Sequence, residues 1–421
     1  MKAGKKHIVI IGGGFAGLST AKHLKNAHVD VTIIDKANHH LFQPLLYQVA
    51  TAALSPGDIA APIRAILGRK SKARVLLGTV DKINPAESSL TLADGRNIYF
   101  DKLVLAPGAK YNYFGNDGWE KYAPGLKTLG DALTIRERLL LSLEQAEQLE
   151  GEGSRKPFLT YVIIGGGPTG VEMAGAIAEI AKRSMRYNFQ NLREEEIRIF
   201  LIEATPTILN GFPDPLGEKG LKMLENLGVV VRRNSPVTKI EKNKVHLDNE
   251  VIETTNIIWA AGIKASPLLD TIDAEKDRSG RIMVNENLSV PGHPNIYVLG
   301  DSAHFKDKDG APLPALASVA SQQGEFLGKI LANPNLRPEN HVFKYVDKGQ
   351  MATVGRAKAV ADIKGFKFSG FFAWFLWSAV HILLLIGFRN RLRVFIEWMW
   401  NYFTFKRGVQ LITDRPHSGS I

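Results

Sequence analysis

Twice in this chain a run of β-branched residues ends in a glycine-rich turn, and each turn opens an alanine-rich segment with helical periodicity. Gly12-Gly13-Gly14-Phe15-Ala16-Gly17 follows His7-Ile8-Val9-Ile10-Ile11, and Gly165-Gly166-Gly167-Pro168-Thr169-Gly170 follows Tyr161-Val162-Ile163-Ile164. One such turn is a weak signal, whereas two in matching contexts restrict the chain to a pair of βαβ units. The first glycine of each permits the tight turn, the second lets backbone approach a pyrophosphate, and the third allows close helix–strand packing, with the phosphates at the helix N-terminus. An acid is then expected at the end of the next strand, about 20 residues on, to bind a ribose hydroxyl. Val31-Thr32-Ile33-Ile34-Asp35 supplies it in the first unit and Ile197 to Glu203 in the second, where the polar stretch Lys182 to Glu196 reads as an extended helix and surface loop. A chain that holds two dinucleotides is suited to passing electrons between them.

At 421 residues there is room for two or three domains, and the 45% apolar content is that of a globular protein. The net charge of +11 suits an anionic partner. No nucleic-acid motif is visible, so lipid and anionic cofactors are favoured. The basic segment Met1 to Lys6 precedes an apolar run too short for a secretory signal, which needs about 7–15 residues. It reads as the first strand, and the chain is expected to remain in the cytoplasm. There is no cysteine. This excludes disulfides, thiolate metal sites, cysteine-bound iron–sulfur clusters and every flavin mechanism that passes electrons through a thiol. The pair His39-His40 has no further ligand at metal spacing and reads as structural, so no metal is expected.

The elements suggest an α/β chain with two Rossmann-like dinucleotide-binding domains and a C-terminal membrane-anchoring helical region. The expected boundaries are 1–120 (first dinucleotide-binding domain, first part), 121–275 (second dinucleotide-binding domain, with the amphipathic connector Ala132 to Leu149), 276–340 (first dinucleotide-binding domain, second part) and 341–421 (membrane association). The halves repeat weakly: each ends an apolar strand in Ala-Xaa-Gly, at Ala106-Pro107-Gly108 and Ala260-Ala261-Gly262.

These pairs, with Gly300-Asp301, resemble the flavoprotein superfamily that binds FAD at its first fingerprint and NAD(P)H at its second. Three further segments resemble the type II NADH:quinone oxidoreductases: His40-Leu41-Phe42-Gln43-Pro44-Leu45-Leu46-Tyr47-Gln48-Val49-Ala50-Thr51, Val171-Glu172-Met173-Ala174-Gly175, and His381 through Ile412 with Gly387-Phe388-Arg389-Asn390-Arg391 and Arg407-Gly408. The resemblance implies FAD contacts at Gly12, Gly14, Phe15, Ala16, Gly17, Asp35, Lys36, Gln43, Val80, Ala106, Gly108, Asp301 and Ala317. It implies NADH contacts at Gly165, Gly167, Pro168, Thr169, Gly170, Glu203, Ala260 and Gly262, and quinone contacts at Pro44, Tyr47, Gln48, Ser318 and Gln322. Ser318 replaces a family glutamine in Ala317-Ser318-Val319-Ala320-Ser321-Gln322-Gln323-Gly324. A hydroxyl is shorter and lacks the amide's paired donor and acceptor. Glu172 and Gln322 are the expected catalytic pair, with Glu172 ordering the nicotinamide or relaying protons. The alternative for Glu172 is an acid favoured by the helix dipole.

Phe371 to Phe388 is apolar except for Ser378 and His381, and at about 18 residues stands at the lower edge of a spanning helix. Trp374, Trp377, Trp398, Trp400 and Tyr402 read as interface aromatics, with Lys364, Lys367, Arg389, Arg391, Arg393, Lys406 and Arg407 placed to meet anionic headgroups. An in-plane anchor is favoured; a spanning helix and a buried or dimer-interface helix are the alternatives. The implied activity is electron transfer from NADH through FAD to a membrane quinone, without proton pumping, by a peripheral homodimer on the cytoplasmic face of the inner membrane. The rivals are a soluble NADH-dependent reductase of a small carrier such as ferredoxin, which has no use for this tail, and a non-enzymatic NADH-sensing flavoprotein.

Overall fold

A computed structural model of the chain describes residues 5–68, 71–404 and 410–412, without the side chains of 182–187. Met1, Lys406, Arg407 and Gly408, singled out above, lie outside the described residues. The chain runs through β1 (Lys6–Ile11), α1 (Phe15–His23), β2 (Val29–Asp35), β3 (His39–Leu41), α2 (Leu46–Ala50), β4 (Lys102–Leu105), α3 (Leu129–Glu147), β5 (Thr160–Ile164), α4 (Pro168–Asn188), β6 (Arg198–Ile202) and β7 (Asn256–Trp259). It continues through β8 (His293–Val298), α5 (Ala317–Ala332), β9 (Gln350–Gly355), β10 (Lys358–Ile363), β11 (Phe366–Gly370), α6 (Phe371–Leu384) and α7 (Phe388–Thr404).

Two compact units result: residues 1–41, 60–110 and 263–347 form the first, and 42–59, 111–262 and 348–421 the second. The segment 42–59 therefore packs with the second unit, although it follows the first fingerprint in sequence.

The first unit is built on six strands in the order Ser289–Val290, β8, β4, β1, β2, Arg74–Leu77. All pair in parallel except the antiparallel Ser289–Val290 edge. Strands covered on both faces read as continuous apolar runs, and Val9, Ile11, Leu103, Leu105 and Val298 share one core. The register sets Ile11 of β1 beside Ile34 of β2 and Leu105 of β4, which brings Gly12, Asp35 and Ala106 to one end of the sheet. α5 lies on α1, where a Cβ on Gly324 would collide with the Ala16 carbonyl.

In the second unit, β6 and β7 flank β5 in parallel and Val229–Arg232 completes the sheet. Val162, Ile164, Phe200, Ile202 and Trp259 pack below it. The connector is α3, opened by a reciprocal capping box between Thr128 and Asp131. The C-terminal part is an antiparallel sheet, β9–β10–β11, with α6 packed through Ala359, Ala361 and Ala373. β9 reaches α4 at Gly175, where any Cβ would strike the Val354 carbonyl.

The apolar run of the tail is not one helix. α6 has 14 residues, a rise of about 21 Å, against a hydrocarbon core of about 30 Å. Gly387 takes a left-handed φ of +89°, and Arg391 Nε caps the Leu385 carbonyl at 2.7 Å. Chain direction therefore changes before α7. Among the described residues, no helix is long and apolar enough to cross a membrane.

Candidate functional site

Both fingerprints have the same construction. Gly12 and Gly165 take φ of +97° and +113°, which an L side chain rarely adopts. A Cβ on Gly12 would collide with the Ala106 carbonyl, and one on Gly17 or Gly170 with the carbonyl of Gly12 or Gly165. Gly14 and Gly167, by contrast, face open space. No side chain caps α1, whose N-cap is Gly14, so its first turn presents backbone N–H groups and the positive end of a dipole to any anion there. Asp35 accepts Gly13 N–H at 2.5 Å and Ala37 N–H at 2.7 Å. Glu203 accepts Gly166 N–H at 2.6 Å and both the N–H and hydroxyl of Thr205 at 2.8 Å. Two open, glycine-floored cradles, each edged by a carboxylate held in place, fit two dinucleotides.

Other expected contacts fall around these turns. Ser302 Oγ donates to the Gly108 carbonyl at 2.9 Å, tying the Gly300-Asp301 turn to the Ala106–Gly108 strand end. Gln323, not foreseen from the sequence, accepts Gly300 N–H at 2.6 Å while 1% exposed. Phe15 and Ala317 start α1 and α5, and Ala16 is buried in α1. Lys36 is exposed, and Val80 begins a strand on the first unit's core. Pro168 and Thr169 open α4, Ala260 N–H donates to Ile164 at 2.7 Å, and Gly262 turns at φ +66°. Gln43 donates to the Lys127 carbonyl at 3.2 Å, within the second unit, and Pro44 lies in a single 3₁₀ turn leading to α2.

The second unit holds a half-open cavity of about 650 Å³ lined by Tyr47, Gln48, Glu172, Trp374, Trp377 and Trp398, among others. Its wall is an aromatic stack: Trp377 stacks on Trp398 at 5.4 Å, and Trp374 on Tyr402 at 5.6 Å, each pair inclined by 27°. Trp398 Nε1 donates to Gln48 Oε1 at 2.8 Å, and Gln48 Nε2 donates to Tyr47 Oη at 2.9 Å. A donor-only indole thus fixes which way the amide points. Of the five tail aromatics read as interface residues, four line this cavity and Trp400 alone is exposed. The periodicity of α6 and α7 decides this, since it turns Trp374, Trp377, Trp398 and Tyr402 inward. The outward face is built instead from Phe371, Phe372, Phe375, Leu392, Phe395 and Ile396.

Glu172 enters the cavity from α4. Burial pushes its carboxyl up to about 8, and the opposing effect of the Thr353 N–H it accepts is smaller. That is the reverse of what a dipole-stabilised surface acid shows, and it keeps the group largely protonated at neutral pH. Two polar atoms on residues lining the same cavity have no partner: the Trp377 indole N–H, on a side chain 2% exposed, and Asn401 Oδ1. A site with an unmet donor, an unmet acceptor and a protonated acid is prepared for a ligand with oxygen functions. His381, stacked on Trp377 at 4.2 Å, is pushed down to about 4 by burial and stays neutral.

Ser318 and Gln322 belong to the first unit and are occupied there. Ser318 Oγ meets Tyr345 Oη at 3.1 Å. The Gln322 amide is spent at both ends on Val346, donating to its carbonyl and accepting its N–H, each at 3.0 Å.

The model for pyridine nucleotide-disulphide oxidoreductases matches residues 6–324, and the NDH2 C-terminal domain matches 348–407. The chain is 39% identical to the type II NADH:quinone oxidoreductase Ndh of Mycobacterium tuberculosis, over 98% of this chain and 91% of that one. It is 40% identical to NdhA of the same organism, over 98% and 90%. A solved structure of NDH2 from Plasmodium falciparum in complex with NADH shares the fold at a TM-score of 0.88 and 23% identity, covering 95% of this chain and 99% of that one.

Proposed function

The chain belongs to the type II NADH:quinone oxidoreductases, and on that premise we propose how its residues divide the work. The reaction takes electrons from NADH through FAD to a quinone, without proton pumping; the soluble carrier-reductase alternative is not favoured. FAD, when bound, accepts the hydride of NADH and supplies two electrons to the quinone. Everything else is positioning and proton supply by the protein.

FAD is assigned to the first fingerprint with Asp35, and NADH to the second with Glu203, whose fixed carboxylate would repel a 2′-phosphate. The quinone headgroup is assigned to the cavity of Tyr47, Gln48 and Glu172. The observation that carries this is that the unpartnered Trp377 N–H and a carboxyl pushed up to about 8 line the same cavity. The indole can donate to a quinone oxygen, and Glu172 can deliver a proton to the oxygen as it becomes basic. Gln322 is reassigned to holding the 345–347 segment. The exposed apolar face of α6 and α7, with Arg389 and Arg393 exposed on α7, supports peripheral binding to an anionic lipid surface. The cytoplasmic face and a homodimer complete the reading.

The test is NADH oxidation by Trp377→Phe with a short-chain quinone and, separately, with ferricyanide. Losing one neutral hydrogen bond should raise the quinone KM roughly fivefold, with the ferricyanide rate unchanged. An unaltered quinone KM removes the headgroup from this cavity.

A further inference from the structure

The two fingerprints hold their middle glycine differently. In the second, Gly166 N–H donates to Glu203 at 2.6 Å, and the Gly166 carbonyl accepts the backbone N–H of Leu209 at 2.8 Å. In the first, Gly13 N–H donates to Asp35 at 2.5 Å, but the carbonyl meets the imidazole Nδ1 of His40 at 3.0 Å. The surroundings otherwise correspond: an isoleucine, Ile63 or Ile208, lies where a Cβ on either middle glycine would point. A side chain has replaced a main-chain donor.

His40 stands on β3, 3% exposed, with its ring edge-on to Phe15 at 5.0 Å. A carbonyl only accepts, so Nδ1 must carry the hydrogen. Burial is the strongest influence and pushes the ring toward its neutral form; Lys22 on α1 and the adjacent His39 act the same way, while the Gly13 carbonyl it meets and, less strongly, Asp35 on β2 act against it. Nε2 is therefore a bare acceptor, and it is buried with no partner. A missing donor is wanted there. Phosphates offer none, whereas the hydroxyls of a dinucleotide's sugar chains do.

We propose that His40 is a positioning residue for FAD, its Nδ1–H locking the Gly13 peptide in the phosphate turn and its Nε2 accepting a hydroxyl of the bound FAD. This rests on the assignment of FAD to the first fingerprint.

The experiment follows release of flavin from diluted holoenzyme by its fluorescence rise, with NADH affinity measured alongside. His40→Phe keeps ring volume and loses both polar atoms. His40→Asn keeps a donor near Nδ1 and loses the distal acceptor. Release should quicken roughly twentyfold or more in the first and roughly fivefold in the second, with the NADH Kd unchanged in both. Wild-type release in His40→Phe overturns the proposal, and wild-type release in His40→Asn overturns its Nε2 half. Melting temperatures lowered equally with and without excess FAD also overturn it, since His40 is then a core residue only. Gly14→Val separates this from failure of the assignment. A Cβ there meets nothing, so the variant should fold and lose FAD; if it loses NADH and keeps FAD, the assignment itself fails.

Discussion

At the level of single residues, the decisive quantity is the competition between burial and hydrogen bonding at Glu172. Its carboxyl stands near 8 because enclosure costs the charged form more than the Thr353 N–H returns. The folded protein therefore holds a proton between about pH 4.5 and 8 that the unfolded chain has released. Stability must fall as pH rises through that window, because the folded state binds more protons there. Glu172→Gln removes the linkage, so between pH 6.5 and 8, above the range in which His381 makes both proteins more stable as pH rises, melting temperature should fall more steeply in the wild type than in the variant. Quinone reduction in the wild type should decline on the alkaline side near pH 8 as the proton donor is lost. The variant should be slower by roughly 10²–10⁴-fold if general-acid help is removed, and without that limb. Equal pH profiles for the two proteins would remove Glu172 from proton delivery. Glu203 is tested differently: Glu203→Gln keeps an acceptor for Gly166 N–H while discarding the charge, and the NADH over NADPH preference in kcat/KM should narrow about tenfold. An unchanged ratio leaves Glu203 as a support for the turn alone.

Secondary-structure elements show what could and could not be read from the chain. The fingerprints were legible because they are backbone devices: positive φ at Gly12 and Gly165 and carbonyl contact at Gly17 and Gly170 leave few substitutes for glycine. The acids at Asp35 and Glu203 were legible because parallel strands fix the register between turn and strand end. The inward aromatics were not. Composition makes a tryptophan-rich tail look like a membrane belt, whereas α6 and α7 place most of those rings against Gln48 and one another. The motif position of Gln322 likewise says nothing of Val346, which engages both ends of its amide. The surface proposed to face lipid is the one left over. Phe395 and Ile396 are 49% and 55% exposed, and burying side chains of this size is worth about 1.5–3 kcal/mol each. The double substitution of both by Glu should weaken vesicle binding at least a hundredfold, with the rate toward ferricyanide retained. Binding within threefold of wild type would place the membrane contact elsewhere.

For the molecule as a whole, two forces can hold it at a membrane, and salt screens only one of them. The net charge of +11 favours anionic lipid, at about 1 kcal/mol for each cation near the surface, and is screened as the Debye length falls from about 10 Å at 0.1 M to about 3 Å at 1 M salt. The exposed phenylalanines and leucines of α6 and α7 draw on the hydrophobic effect, which salt does not screen. A protein held by charge alone leaves the membrane in a salt wash. One anchored by an apolar face stays and leaves in detergent. With a 14-residue α6 followed by a turn at Gly387, the expected behaviour combines both. Sedimentation with anionic vesicles should weaken about tenfold between 0.1 and 1 M salt and then level off, whereas neutral vesicles should bind more weakly and show little salt dependence. Complete release at 1 M salt would mean that charge alone holds the protein, and that the apolar face of α6 and α7 is covered by something other than lipid.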